Sequence, residues 1–189
     1  MPRVTLRPLS EKDCDARWVR WLNDPAVSQW LASRGKIRWT LPRLRRWFRA
    51  HARRPGTRIY GIMAGRRRVG TLKIEGLGSE RWASVGLMIG ERRWRGQGVG
   101  TAAIREAVTV AEQADNLGVW AGMRSDNHAS FRAFSKAAFD LACDDQWSGN
   151  EFARPLSRPA DVFEGRKAGE RRVFLRLKVV VPLARKVLR

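Results

Sequence analysis

The stretch from Val85 to Ala111 restricts the fold more than any other. Val85-Gly86-Leu87-Met88-Ile89-Gly90 is almost entirely apolar, as expected of a central strand buried on both faces. Arg95-Gly96-Gln97-Gly98-Val99-Gly100 follows, and Ala103, Ile104, Ala107, Val108 and Ala111 then recur at helical spacing. Strand, glycine turn and helix in this order bring backbone N–H groups to a helix N-terminus with no side chains in front. That suits a phosphate, because the N–H groups point at it and the helix end is partly positive. Arg92, Arg93 and Arg95 add full charges beside the turn. The same residues also suit a plain strand-to-helix turn, since glycine punctuates turns with or without a ligand.

Two nucleotide-binding patterns do not match. A P-loop needs GxxxxGK followed by Ser or Thr, and this turn has no such lysine. A dinucleotide fold wants its glycine turn after the first strand, with an acid further on. Here the turn follows three strand-like runs, Arg58–Ala64, Val69–Leu77 and Ala83–Gly90, separated by Gly65-Arg66-Arg67 and Gly78-Ser79-Glu80-Arg81. Those runs read as an antiparallel meander.

Residues 3–8 alternate like a strand, and Ser10 with the acids after it predicts a helix over about 11–22. Asn23-Asp24-Pro25 ends that helix. Thr40-Leu41-Pro42 opens another, running to about Arg53 with Leu44, Trp47 and Phe48 at helical spacing. The helix after the glycine turn should span about 98–115. Gly118–Met123 reads as a short strand, and Asn127 caps a helix over about 128–137 with Phe131 and Phe134 on one face. Residues 144–165 read as a loop and Arg172–Val181 as a late strand, ended by Pro182 and followed by a basic tail.

A chain of 189 residues suits one domain, and no run approaches the ~18–20 apolar residues of a membrane span. The charged opening does not resemble a secretory signal, so the expected location is the cytoplasm. Cys14 and Cys143 stand apart and the only histidines are His51 and His128, so neither a disulfide framework nor a metal site is expected. The net charge of +20 comes from 31 Arg and 7 Lys spread along the chain. It suits nucleic acid, an acidic protein or a polyanionic small molecule, and equally a compositional bias.

The RxxGxG turn, the VGLMIG strand before it and the downstream Asn127-x-x-Ser130-x-x-x-Phe134-x-Lys136-x-x-Phe139 together resemble the GNAT superfamily of acyl-CoA-dependent N-acyltransferases. The resemblance covers about residues 3–140. It implies one α/β (α+β) domain over 1–189, with a mixed, splayed central sheet of about six or seven strands flanked by helices. It also implies acetyl-CoA as co-substrate, acetyl being assumed, and no metal. Backbone groups of Leu87, Met88 and Ile89 would pair with pantetheine, with the Leu87 N–H polarising the thioester oxygen. Arg93, Arg95, Gly96, Gln97, Gly98, Val99, Gly100 and Thr101 would hold the pyrophosphate. Asn127, Ser130 and Lys136 would reach the cofactor from the far helix.

The chemistry departs from the family pattern. Relatives often carry glutamate where this chain has Ser84, and tyrosine where it has Phe134, so the usual base and acid are missing. Glu75 is the best remaining carboxylate, with Glu91 and Asp126 behind it. Asn23, Asp24 and Lys73 are the candidates for the acceptor side. The Trp21–Pro25, Val69–Lys73 and Leu87–Gly90 segments resemble enzymes acting on surface-polysaccharide amino sugars, often nucleotide-linked. The alternatives are a protein N-terminus, as in ribosomal-protein acetyltransferases with a similar Asn-Asp-Pro segment, and a non-catalytic acyl-CoA-binding module. No feature bears on oligomeric state.

Overall fold

The computed structural model describes residues 3–31, 36–80, 82–124, 126–146 and 171–178. Strands β1 (Val4–Pro8), β2 (Arg58–Ala64), β3 (Arg67–Glu75), β4 (Trp82–Ile89), β5 (Gly118–Arg124), β6 (Asp140–Gln146) and β7 (Arg171–Lys178) form one sheet in the order β1-β2-β3-β4-β5-β7-β6. β1 to β4 pair antiparallel, β4 and β5 pair parallel, and β5, β7 and β6 pair antiparallel. The sheet is therefore mixed, as the resemblance implies.

Each face of the sheet carries its own core. On one face, helix α4 (Val99–Gln113) lays Val99, Ala103, Ile104, Ala107 and Ala111 on Ile62, Val69, Leu72, Ile74, Ala83 and Val85. On the other, α1 (Ala16–Asn23) and α3 (Leu41–Ala52) bury Trp18, Trp21, Leu22, Leu44 and Phe48 over Ile59, with Met88 packed at the margin. A short helix α2 (Pro25–Ser28) follows α1 directly, and α5 (His128–Ser135) packs beside α4.

Three expectations change. The helix over 11–22 is broken in two, because two aspartates each cap a start. Asp13 accepts from Ser10 N–H at 2.8 Å and closes a 3-10 turn, and Asp15 accepts from Trp18 N–H at 2.8 Å to open α1. The run 140–146, part of it assigned to a loop, is strand β6; its acids depress strand propensity, but pairing with β7 prevails. The other loop residues, 147–165, and those from 179 onward lie outside the described residues. Finally, β4 is central but not buried on both faces: Ala83 and Val85 are buried, while Gly86 is exposed and Leu87, Met88 and Ile89 are only partly covered.

The junction between α4 and β5 is tied to the β3–β4 turn by one side chain. Asn116 is fully buried; its Nδ2 donates to Gly76 O at 2.9 Å and to Glu80 O at 2.7 Å, and its Oδ1 accepts from Gly78 N–H at 3.1 Å. Leucine there would take these partners from Gly78 N–H and Glu80 O, while Gly76 O keeps the Glu80 N–H at 3.1 Å; each buried group left unpaired costs ~1–3 kcal/mol. Asn116→Leu is expected to lower unfolding free energy by about 3 kcal/mol or more, read from urea denaturation.

Candidate active site

The parting of β4 from β5 makes the site. Only Trp82, Ala83 and Ser84 pair with β5, opposite Gly118, Val119 and Trp120. Beyond Ser84 each strand is held by a different neighbour: β5 pairs with β7 along its whole length, while β4 stays on β3 as far as Ile89. A bulge strengthens the second attachment. Val69 has no partner on β2, and its carbonyl accepts both the Gly90 and Glu91 N–H groups at 3.0 Å. Gly70 lets β4 come that close, since a Cβ there would lie 2.2 Å from Met88 O. The edge of β4 from Val85 to Ile89 thus faces a gap.

At the end of the gap the chain turns through Gly96 and Gly98, with φ of 74° and 76°, a region that favours glycine. Gly98 is also the N-cap of α4, so no side chain occupies that helix end. Intrahelical bonding begins with Ala102 N–H to Gly98 O at 3.0 Å, and the N–H groups of Val99, Gly100 and Thr101 point out of the helix end. A Cβ at Gly100 would make only ordinary contact, 3.9 Å from Ala133 Cβ and Leu87 Cδ1.

Arg95 braces the turn. Its Nε donates to Ile89 O at 2.9 Å, and its Nη2 donates to Gly90 O and Asp24 Oδ2, both at 2.8 Å. The Arg95 hydrogen bond holds the Asp24 carboxyl below the usual carboxylate range. Asp24 also caps α2, accepting from Ala26 N–H at 3.0 Å. Its neighbour Asn23 clasps Trp39, accepting from its N–H at 2.8 Å and donating to its O at 2.9 Å. The structure therefore engages the polar atoms of Asn23 and Asp24 within the protein. Arg93 lies exposed beside the Trp94 ring, and Lys136 is exposed at the end of α5. Asn127 is buried, and its Oδ1 accepts from Ser130 N–H at 3.2 Å as the α5 cap.

On the face carrying α1 and α3, β4 has an open floor. Gly86 is exposed and a Cβ there would meet nothing within 4 Å. Ser84 and Met88 flank it along the strand, and Lys73 and Glu75 stand opposite Gly86 and Ser84 on β3. Lys73 Nζ lies 2.8 Å from Glu75 Oε1, and Arg54 Nη1 lies 3.9 Å from the same oxygen. Lys73 Nζ is also 6.0 Å from the Trp47 ring centre, and Trp39 meets Trp47 edge-on at 6.3 Å. His51 stacks on Trp47 with ring centres 4.3 Å apart. Sequence reasoning missed Trp39 and His51 here. The i, i+4 spacing of Trp47 and His51 was a visible signal, but not which strand they face. Ser84 is partly buried, and Phe134 is buried edge-on to Phe139 at 5.0 Å. Glu91 lies at the far end of β4, 3.7 Å from Arg67, and Asp126 is paired with Arg124. Among the described residues no three His, Cys, Asp or Glu side chains gather as a metal site, and no helix is long and apolar enough to cross a membrane.

The GNAT acetyltransferase domain model matches residues 3–140. No curated protein matches the chain in sequence. Among solved structures, the ribosomal α-N-protein acetyltransferase RimL bound to coenzyme A is similar, with a TM-score of 0.73 and 16% identity over 95% of this chain and 96% of that one. So is an aminoglycoside acetyltransferase with coenzyme A and kanamycin, with a TM-score of 0.71 and 16% identity over 93% and 94%. A spermidine N-acetyltransferase from Vibrio cholerae, with CoA and spermine, gives 0.70 and 12% over 93% and 95%. The matched domain and the splayed sheet agree: the chain belongs to the GNAT family and is an acyl-CoA-dependent acetyltransferase.

Proposed function

We propose that the chain transfers acetyl from acetyl-CoA to the primary amine of an amino sugar that carries a nucleoside diphosphate. The pantetheine arm adds to the free edge of β4 along Leu87, Met88 and Ile89, as an extended ligand adds to any open strand edge. The N–H groups of Gln97, Gly98, Val99, Gly100 and Thr101 take the pyrophosphate, with exposed Arg93 and Lys136 nearby. Arg95 serves binding by holding Gly96 and the turn in shape. Asn127 and Ser130 form the α5 end that closes over the cofactor.

The observation that carries the acceptor assignment is the open floor at Gly86. Its β3 partner is a cation, Lys73, which lies 6.0 Å from the Trp47 ring centre, and Trp39 meets Trp47 edge-on. Indole faces suit a sugar ring or a base, and an ammonium suits a diphosphate. A polycationic acceptor is disfavoured here, because the net charge is +20 and the two cations Lys73 and Arg54 share the single carboxylate of Glu75. Asn23 and Asp24 contribute by fixing Trp39 and Arg95.

The chemistry is direct attack by the neutral amine on the thioester carbonyl. Holding both reactants across β4 supplies proximity, and the Leu87 N–H, preset in the strand, stabilises the developing oxyanion. Ser84 and Phe134 supply neither base nor acid, which separates this chain from relatives that carry both.

A thiol-release assay with acetyl-CoA tests the acceptor. Nucleoside-diphosphate amino sugars are expected to exceed the free amino sugars in kcat/KM by about tenfold, the effect of roughly 1.4 kcal/mol. Preference for N-terminal peptides would assign a protein acceptor instead, and acetyl-CoA binding without turnover on any amine would make the chain a binding module. Gly98→Ala forces a Cβ into the left-handed region at ~1–2 kcal/mol. Relaxing that strain displaces the N–H array, so the acetyl-CoA Kd by calorimetry should rise about tenfold in a folded protein.

A further inference from the structure

His51 stands in the last turn of α3, partly buried, with its ring on Trp47. Its Nδ1 lies 2.9 Å from Trp47 O. A carbonyl oxygen only accepts, so Nδ1 carries the hydrogen. In the neutral ring the lone pair is then on Nε2. The backbone of its own helix thus selects the tautomer with a basic nitrogen at the outer end of the ring.

The charged groups around this ring are Lys73 and Glu75 from β3 and Arg54 from the turn after α3. Burial pushes the His51 pKa below its usual 6.5, the Trp47 bond works the other way, and Lys73 and Arg54 lower it further against Glu75. Glu75, the carboxylate opposite Ser84, is already engaged by Lys73 at 2.8 Å and lies 3.9 Å from Arg54. His128, the other histidine, opens α5 away from this face. His51 thus neighbours Lys73 and Glu75, the β3 residues that stand opposite Gly86 and Ser84.

We propose that His51 is the proton acceptor of acetyl transfer, its Nε2 taking the proton of the acceptor amine directly or through one water. This rests on the reading that an amine is acetylated over Gly86. The amine nitrogen forms the C–N bond and loses a proton to Nε2. The C–S bond breaks, and its electron pair leaves on the coenzyme A sulfur as thiolate, which takes a proton from water. The imidazolium returns its proton to solvent, and Glu75 offsets its charge while it lasts.

The test is kcat/KM against pH for the wild type and for His51→Asn, whose amide can keep the donor to Trp47 O, with the best acceptor of the thiol-release panel. Base and amine must both be neutral, so wild-type kcat/KM should show an acidic limb below 6.5 from His51, then a second rise through the acceptor amine's own pKa before levelling. His51→Asn should lose that acidic limb and about 10²-fold in kcat/KM, with unchanged acetyl-CoA affinity. Added imidazole should restore part of the rate to His51→Gly. Wild-type kcat/KM and pH profile in a folded His51→Asn would overturn the assignment while leaving the acetyltransferase reading intact. A wild type inert on every amine would overturn both.

Discussion

The unmet edge of β4 is the constraint from which the rest follows. A backbone N–H or C=O taken from water without a partner costs ~1–3 kcal/mol, so a buried strand edge is ordinarily filled. Here β5 leaves β4 after Ser84 while β7 stays on its other side along seven residues, from Gly118 to Arg124. β4 does not follow, because Val69 O holds both Gly90 and Glu91. The sheet keeps an edge in its middle, the edge to which the proposed complex adds an extended ligand bearing amides.

That arrangement needs a rigid far end, and Arg95 provides it. One guanidinium joins the exit of β4, through Ile89 O and Gly90 O, to the start of α2, through Asp24. Asp24 and Asn23 are adjacent, so the same corner also fixes Trp39, which edges Trp47. The cofactor turn and the acceptor wall are thereby coupled through two consecutive residues. Trp21 closes the corner from above: a Cβ on Gly90 would fall 2.1 Å from its ring. Asp24 thus anchors the exit of β4 one residue away from the Asn23 clasp on Trp39.

What was legible in the sequence was local. The β4 strand, the glycine turn and α4 could be read because apolar run, glycine spacing and helical period lie within one stretch of chain. The antiparallel meander and the Asn127 cap were legible for the same reason. What depended on distant partners was not. The Arg95–Asp24 pair spans 71 residues and the Asn23–Trp39 clasp 16, so neither contact could be read from local spacing. β6 was hidden because Asp140, Asp144 and Asp145 weaken strand propensity, and β7, which pairs with it, lies beyond residue 170. The exposed face of β4 was hidden because an apolar run signals burial but not which neighbour will stand aside.

The same division separates cofactor capture from proton transfer. As proposed, capture relies on backbone groups whose placement needs glycine at a few turns and an unpaired strand edge, features that lie within one stretch of chain. Proton transfer relies on side chains from several elements: α3 supplies His51, β3 supplies Glu75 and Lys73, and β4 supplies only Ser84 and an open Gly86. A base set in the β4 strand would be locked to the thioester by the strand itself. A base on α3 is set instead by helix packing over Ile59 and by the Trp47 carbonyl that chooses its tautomer. On the proposed reading Ser84 need not be the base: the proton acceptor stands on α3, beside the β3 residues opposite Gly86 and Ser84.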